Sequence, residues 1–206
     1  MLILSTLNNI FFKYLNPTIA FLSMVGLLIF WIIKKTPVNE KFLKKLFWIV
    51  LISIVIQSIY LSAVHILIWN SSPAGKAFLP PTLPWSYSLN YVFYHYCKRN
   101  LFTIISALIL LFVVKFLNKR FEERFFYPQE PYLMSLGILW SPWPGGIVVF
   151  LSVVLITFLI IQIINIFSFK KERISMLYLW LPCSLLSFFI TYAILNRIPI
   201  INSLFV

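Results

Sequence analysis

Apolar residues in this chain come in long unbroken runs, and most of the runs end on lysine or arginine. Residues 17–33 carry no charge and stop at Lys34-Lys35. Starting near residue 14, with Pro17 as a kink, the run reaches the roughly 20 residues that a helix needs to cross hydrocarbon. Residues 47–69 are uncharged between Lys45 and the turn "NSSPAG", and 147–169 are uncharged up to Lys170-Lys171. Residues 101–114 are short, but Phe116 and Leu117 extend them, and Arg99 and Lys115 can snorkel at the two ends. A last run, 177–195, is broken at Pro182, whose missing N–H leaves a carbonyl for Ser184 or a neighbouring helix to satisfy.

One more apolar stretch, 131–140, is only half as long as a span, because ten helical residues rise about 15 Å. It is either a short crossing or a re-entrant half-helix, and the basic residues decide between them. With six crossings, twelve of the 17 Lys and Arg fall on one side: Lys34, Lys35, Lys41, Lys44, Lys45, Lys115, Lys119, Arg120, Arg124, Lys170, Lys171 and Arg173. Cytoplasmic loops collect such residues. The pattern therefore predicts an all-α polytopic bundle in a single membrane domain over 1–206. Its segments are about 14–33, 47–69, 100–117, 131–140, 147–169 and 177–195. The loops 34–46, 115–130 and 170–176 are expected in the cytoplasm, with both termini outside.

Composition agrees. The chain is 61% hydrophobic and 11% charged, with a mean hydropathy of +0.95, against roughly 25% charged residues in a soluble domain. A net charge of +12 would suit nucleic acid only if the cations shared one solvated face. Here they sit in short clusters between apolar runs, so the expected partner is the lipid bilayer and not nucleic acid. The N-terminus lacks the basic start and small-residue cleavage site of a signal peptide.

The longest loop on the other side, 70–100, holds Pro80, Pro81 and Pro84, then Trp85, Tyr87, Tyr91, Tyr94 and Tyr96. Tyr87, Tyr91 and Tyr94 share a helical face, which predicts a short helix lying in the headgroups before the third span. An aromatic pocket for a ligand is the functional alternative. Asn70-Ser71-Ser72 fits a glycosylation sequon.

Candidate chemistry is sparse. Cys97 and Cys183 do not form a disulfide framework or zinc spacing. His65 and His95 lie near the interface without a neighbouring carboxylate, so no metal or cofactor is expected. Gln57, Gln162 and Asn165 lie inside spans, where amides bond across helices. No phosphate-cradling glycine loop or hydrolase motif is present. The five acids are all glutamate: Glu40, Glu122, Glu123, Glu130 and Glu172. Glu130 stands out in "YPQEPYLMSLGILW", between two prolines, where Pro131 suits a first helical turn. A carboxylate at or near that N-cap meets orphan N–H groups and the positive end of the helix dipole.

From Tyr127 onward, "YPQEPYLMSLGILW", "SPWPGG", the run 147–169, "FKKERIS" and the last span follow in order. The layout resembles the C-terminal half of the type IV prepilin peptidases, membrane aspartyl proteases of the bacterial inner membrane. In that family a cytoplasmic Gly-x-Gly-Asp opens a short helix, followed by a Gly-Trp-Pro-Gly-like turn. The resemblance covers about the last 80 residues and implies a prokaryotic membrane and a pilin-like helix as partner. Tyr127, Pro128 and Gln129 replace the motif glycines, and Gln129 or Glu130 takes the place of the aspartate. No second aspartate exists in this chain, whereas aspartyl proteolysis needs two carboxyl groups sharing a proton. The resemblance thus implies a non-catalytic peptidase-like scaffold. Its alternative is a carboxyl peptidase using Glu130 with Glu122 or Glu123. A small transporter is a third class, with a polar cavity near Gln57, Gln162 or Asn165.

Overall fold

The computed structural model describes residues 19–33, 38–121, 126–141, 145–167 and 179–191. Residues 14–18, the lysines at 34–35, Glu122 and Glu123, the loop 170–176, and residues 177–178 and 192–195 of the last predicted span lie outside the described residues. The architecture is all-helical, with no strand among the described residues. Helix α1 is Ile19–Ile33, α2 is Glu40–Ser71, α3 is Pro73–Lys76 and α4 is Trp85–Val92. A π-helical turn, Phe93–Cys97, joins α4 to α5, Lys98–Arg120. Helices α6, Glu130–Leu139, α7, Gly145–Phe167, and α8, Trp180–Phe189, complete the chain.

Three of these helices are long and apolar enough to cross a membrane: Glu40–Ser71, Trp85–Arg120 and Gly146–Ile164. Helices α1 and α8 are apolar but shorter. Large apolar side chains are left on their outer faces, among them Ile52, Ile56 and Ile59 on α2, Ile105, Ile109 and Phe112 on α5, and Leu155, Leu159 and Ile163 on α7. A soluble monomer rarely exposes apolar patches of that extent; in lipid they cost nothing.

Two helices run beyond the apolar spans that the charge pattern predicts. Helix α2 starts at Glu40 and not at 47, because Asn39 caps it: its Oδ1 accepts from Lys41 N at 2.9 Å. Lys41, Lys44 and Lys45 are therefore helical. The short helix expected before the third span is α4, and it runs on through the π turn into α5 as one apolar helix of 36 residues. Pro84 sits at the N-cap of α4 with ψ 151°, so the prolines block helix before Trp85 and not after it.

Helices α2 and α5 are antiparallel and touch at the end nearer the π turn through a polar seam. Ser58, Ser62 and His65 lie three and four residues apart, on one face of α2. Asn100 Nδ2 donates to Ser58 Oγ at 2.7 Å, Ser62 Oγ lies 3.6 Å from Cys97 Sγ, and Tyr96 Oη lies 2.9 Å from His65 Nδ1. Around His65 the rings of Trp69 and Tyr91 stand at 4.7 and 5.5 Å, and the His95 ring lies tilted against Tyr91 at 4.2 Å. The histidines therefore join an aromatic cluster that the loop completes: Phe78 stacks on Trp69 at 5.3 Å, and its carbonyl accepts from Ser88 Oγ at 2.6 Å. The loop approaches closely at Gly75, where a Cβ would stand 2.5 Å from Trp69 O.

Toward the other end α6 stands between α2 and α5. Tyr132 packs on Phe47 of α2 at 6.4 Å and accepts from Lys115 of α5. Helices α7 and α8 close the remaining sides: Cys183 Sγ lies 3.6 Å from Thr157 Oγ1, and Phe21 of α1 meets Phe188 at 5.9 Å.

Candidate functional site

Helix α6 is the innermost element of the bundle. From Glu130 to Ser141 every side chain is buried except Met134, which is partly so. A helix of ten residues spans about 15 Å, half the hydrocarbon thickness. Its orphan end groups would be ruinous in lipid, and irregular backbone at membrane depth is tolerated only where protein or water encloses it. The surrounding helices provide that enclosure. The closest approach is at Gly137, where a Cβ would run into the Phe150 ring of α7 (2.6 Å from Cε2) and stand 3.0 Å from Ser184 Oγ of α8.

The first turn is built by α5. Asn118, itself buried, grips the incoming backbone with both ends of its amide: Nδ2 donates to Phe126 O at 3.0 Å, and Phe126 N donates to Oδ1 at 3.1 Å. That clamp sets where "YPQE" enters the bundle. Glu130 N then donates to Tyr127 O at 3.0 Å, and Leu133 N to Gln129 O at 3.3 Å. Gln129 is thus the N-cap residue and gives no side-chain cap, while Pro131 occupies the first turn.

Glu130, expected at or near that N-cap, lies directly after it. It is the first helical residue, and it is only 1% exposed. There the helix dipole favours its charge by about 0.3–1 kcal/mol, up to ~2 where partly buried. Burial of a lone carboxylate costs far more than that, and Glu130 is not isolated: it takes part in a further polar or electrostatic interaction. Two residues on, the Tyr132 hydroxyl accepts from Lys115 Nζ at 2.6 Å, and the ammonium lies 4.3 Å from the ring centre. Lys115 is on the exposed face of α5, so one cation joins the buried turn to the outside.

Among the described residues the only other carboxylate is Glu40, in the first turn of α2. Glu122 and Glu123, the expected second carboxylates, lie outside the described residues. No group of three or more His, Cys or acidic side chains able to hold a metal occurs among those described. Gln57 is buried, while Gln162 is exposed on α7; the Asn165 side chain lies outside the described residues. Asn118, Lys115 and Gly137 complete the site beyond the residues predicted from sequence. The chain matches no protein-family model, no curated protein and no solved structure.

Proposed function

We propose that the chain is a multi-pass protein of a prokaryotic cell membrane and acts as a non-catalytic scaffold of prepilin-peptidase type. It crosses six times, α6 being the short crossing, with 34–46, 115–130 and 170–176 in the cytoplasm. The observation that carries this reading is the half-helix walled in by four neighbours, with a single buried carboxylate on its first turn. Encasement of this kind holds a short helix at a fixed depth beside long spans. The chain has no aspartate, so the two aspartates that share a proton in an aspartyl peptidase are not available to it. The scaffold's partner is the transmembrane helix of another membrane protein, of pilin-like type, received against the apolar outer faces.

The test is a reconstituted membrane containing the full chain and a single-span pilin-like substrate. Photo-crosslinking from the α7 face should capture the helix, and no cleavage product should form. The alternative, a carboxyl peptidase using Glu130 with Glu122 or Glu123, draws on the burial of Glu130 at a positive helix end. Under it, cleavage occurs and is lost in Glu130→Gln; that outcome refutes the scaffold. Cysteine labelling from each side of the membrane at 34–45 and 115–124 tests the topology: both should react from one side.

A further inference from the structure

Between residues 46 and 114 the chain carries Lys76, Lys98 and Arg99 and no acid. All three cations are exposed. Lys98 and Arg99 sit at the start of α5, and along that helix they lie about 25 Å from Lys115, close to the hydrocarbon thickness of roughly 30 Å. If Lys115 marks one edge of the lipid core, Lys98 and Arg99 mark the other.

Their surroundings are specific. The Lys98 ammonium lies 4.8 Å from the ring centre of Tyr94, one turn earlier, and that ring is 61% exposed. Beyond it Trp85, Tyr87 and Phe93 are exposed, aromatic side chains of the kind that collect at headgroup depth. On the other side Leu101, Phe102 and Ile105 are exposed and apolar. The mount is fixed: the Tyr96–His65 bond ties the π turn to α2, and the His65–Tyr91 stack ties the end of α4 to it.

We propose that Lys98 and Arg99, with Tyr94 beneath the ammonium, bind the phosphate of an anionic phospholipid. A guanidinium fork and a neighbouring ammonium suit the two free oxygens of a phosphodiester. The lipid's acyl chains run down over Leu101, Phe102 and Ile105. A soluble phosphate or an acidic peptide would satisfy the cations but leave those side chains uncovered, which is why a lipid is the ligand. The inference rests on the reading that α2 and the α4–α5 helix cross a bilayer.

The experiment uses the full chain in nanodiscs of phosphatidylcholine containing one part in three phosphatidylglycerol, released into the gas phase for native mass spectrometry. Wild type should retain at least one phosphatidylglycerol more than Lys98→Gln/Arg99→Gln. The charge-preserving Lys98→Arg/Arg99→Lys should retain the wild-type number, which separates loss of the site from loss of the fold. Equal retention in wild type and the glutamine variant overturns the site. Displacement of the bound lipid by soluble glycerol phosphate overturns the lipid as its ligand. Recovery of wild type in the supernatant after alkaline carbonate extraction would instead sink the membrane reading itself.

Discussion

Gly137→Ala isolates the packing on which the site depends. The added methyl would overlap the Phe150 ring, 2.6 Å from Cε2, and would crowd Ser184 Oγ at 3.0 Å. Ordinary carbon contacts are ~3.5–4.0 Å, so the ring must move by about 1 Å. Phe150 is fully buried, and it cannot swing into free space. Overpacking of this size costs roughly 1–3 kcal/mol. Alanine regains about 1 kcal/mol of helix propensity, which leaves a net loss of about 1 kcal/mol, or some 2–4 °C in Tm for a chain of this length. The assay is thermal unfolding in detergent of wild type, Gly137→Ala, Phe150→Leu and the double variant. Removing ring volume should relieve the methyl, so the double variant should be more stable than the two single losses predict, with a coupling of about 0.5–3 kcal/mol. Strict additivity, or a Gly137→Ala protein more stable than wild type, would refute the close approach of α6 to α7.

Asn118→Leu removes both bonds to half-buried Phe126, each worth about 0.5–1.5 kcal/mol; the Phe126 amide should then exchange hydrogen faster, and unchanged protection would contradict the clamp. Tyr132→Phe keeps the Phe47 contact and loses the Lys115 bond, so it should cost about 1 kcal/mol, whereas Tyr132→Ala should cost about 3–5 kcal/mol; unfolding of the two variants checks that order. Glu130→Gln should leave expression and assembly nearly intact, with a stability change of about 1 kcal/mol or less, read by unfolding in the same detergent. Tyr96→Phe should cost about 0.6 kcal/mol, the usual worth of an interhelical hydrogen bond in lipid, and a loss of several kcal/mol would show that the His65 cluster does more than join α2 to α5.

The long helices were legible because a charge-free run of spanning length is costly anywhere but in lipid, but their ends were not. Lys45 bounds the apolar run of α2, while Asn39 bounds its helix, and the two signals answer different questions: where lipid stops, and where backbone hydrogen bonding starts. Lys98 and Arg99 likewise interrupt the apolar pattern without interrupting the helix, which continues back to Trp85. The shortness of α6 and the place of Pro131 in its first turn could be read from sequence. Its encasement could not, because an apolar residue facing lipid and one facing protein look alike in a hydropathy pattern. The one available hint was Gly137, a lone glycine within an apolar ten-residue run. Lys115 reads as a snorkelling end residue and Asn118 gives no signal of its own; their partners Tyr132 and Phe126 are brought to them only when the chain turns back. His65 looked unpartnered for the same reason, since Tyr96 is 31 residues away in sequence.

The central claim is that α6 is shielded from lipid on every side while its neighbours face it. Spin labels placed one at a time along 130–141 and along 148–164, in a background with Cys97 and Cys183 replaced, measure this in lipid vesicles through collision with dissolved oxygen. The account predicts uniformly low oxygen accessibility at Leu133, Leu136, Ile138 and Leu139, and high accessibility at Val148, Leu155 and Ile163. A stripe of lipid-exposed positions recurring every three to four residues along α6 would contradict it.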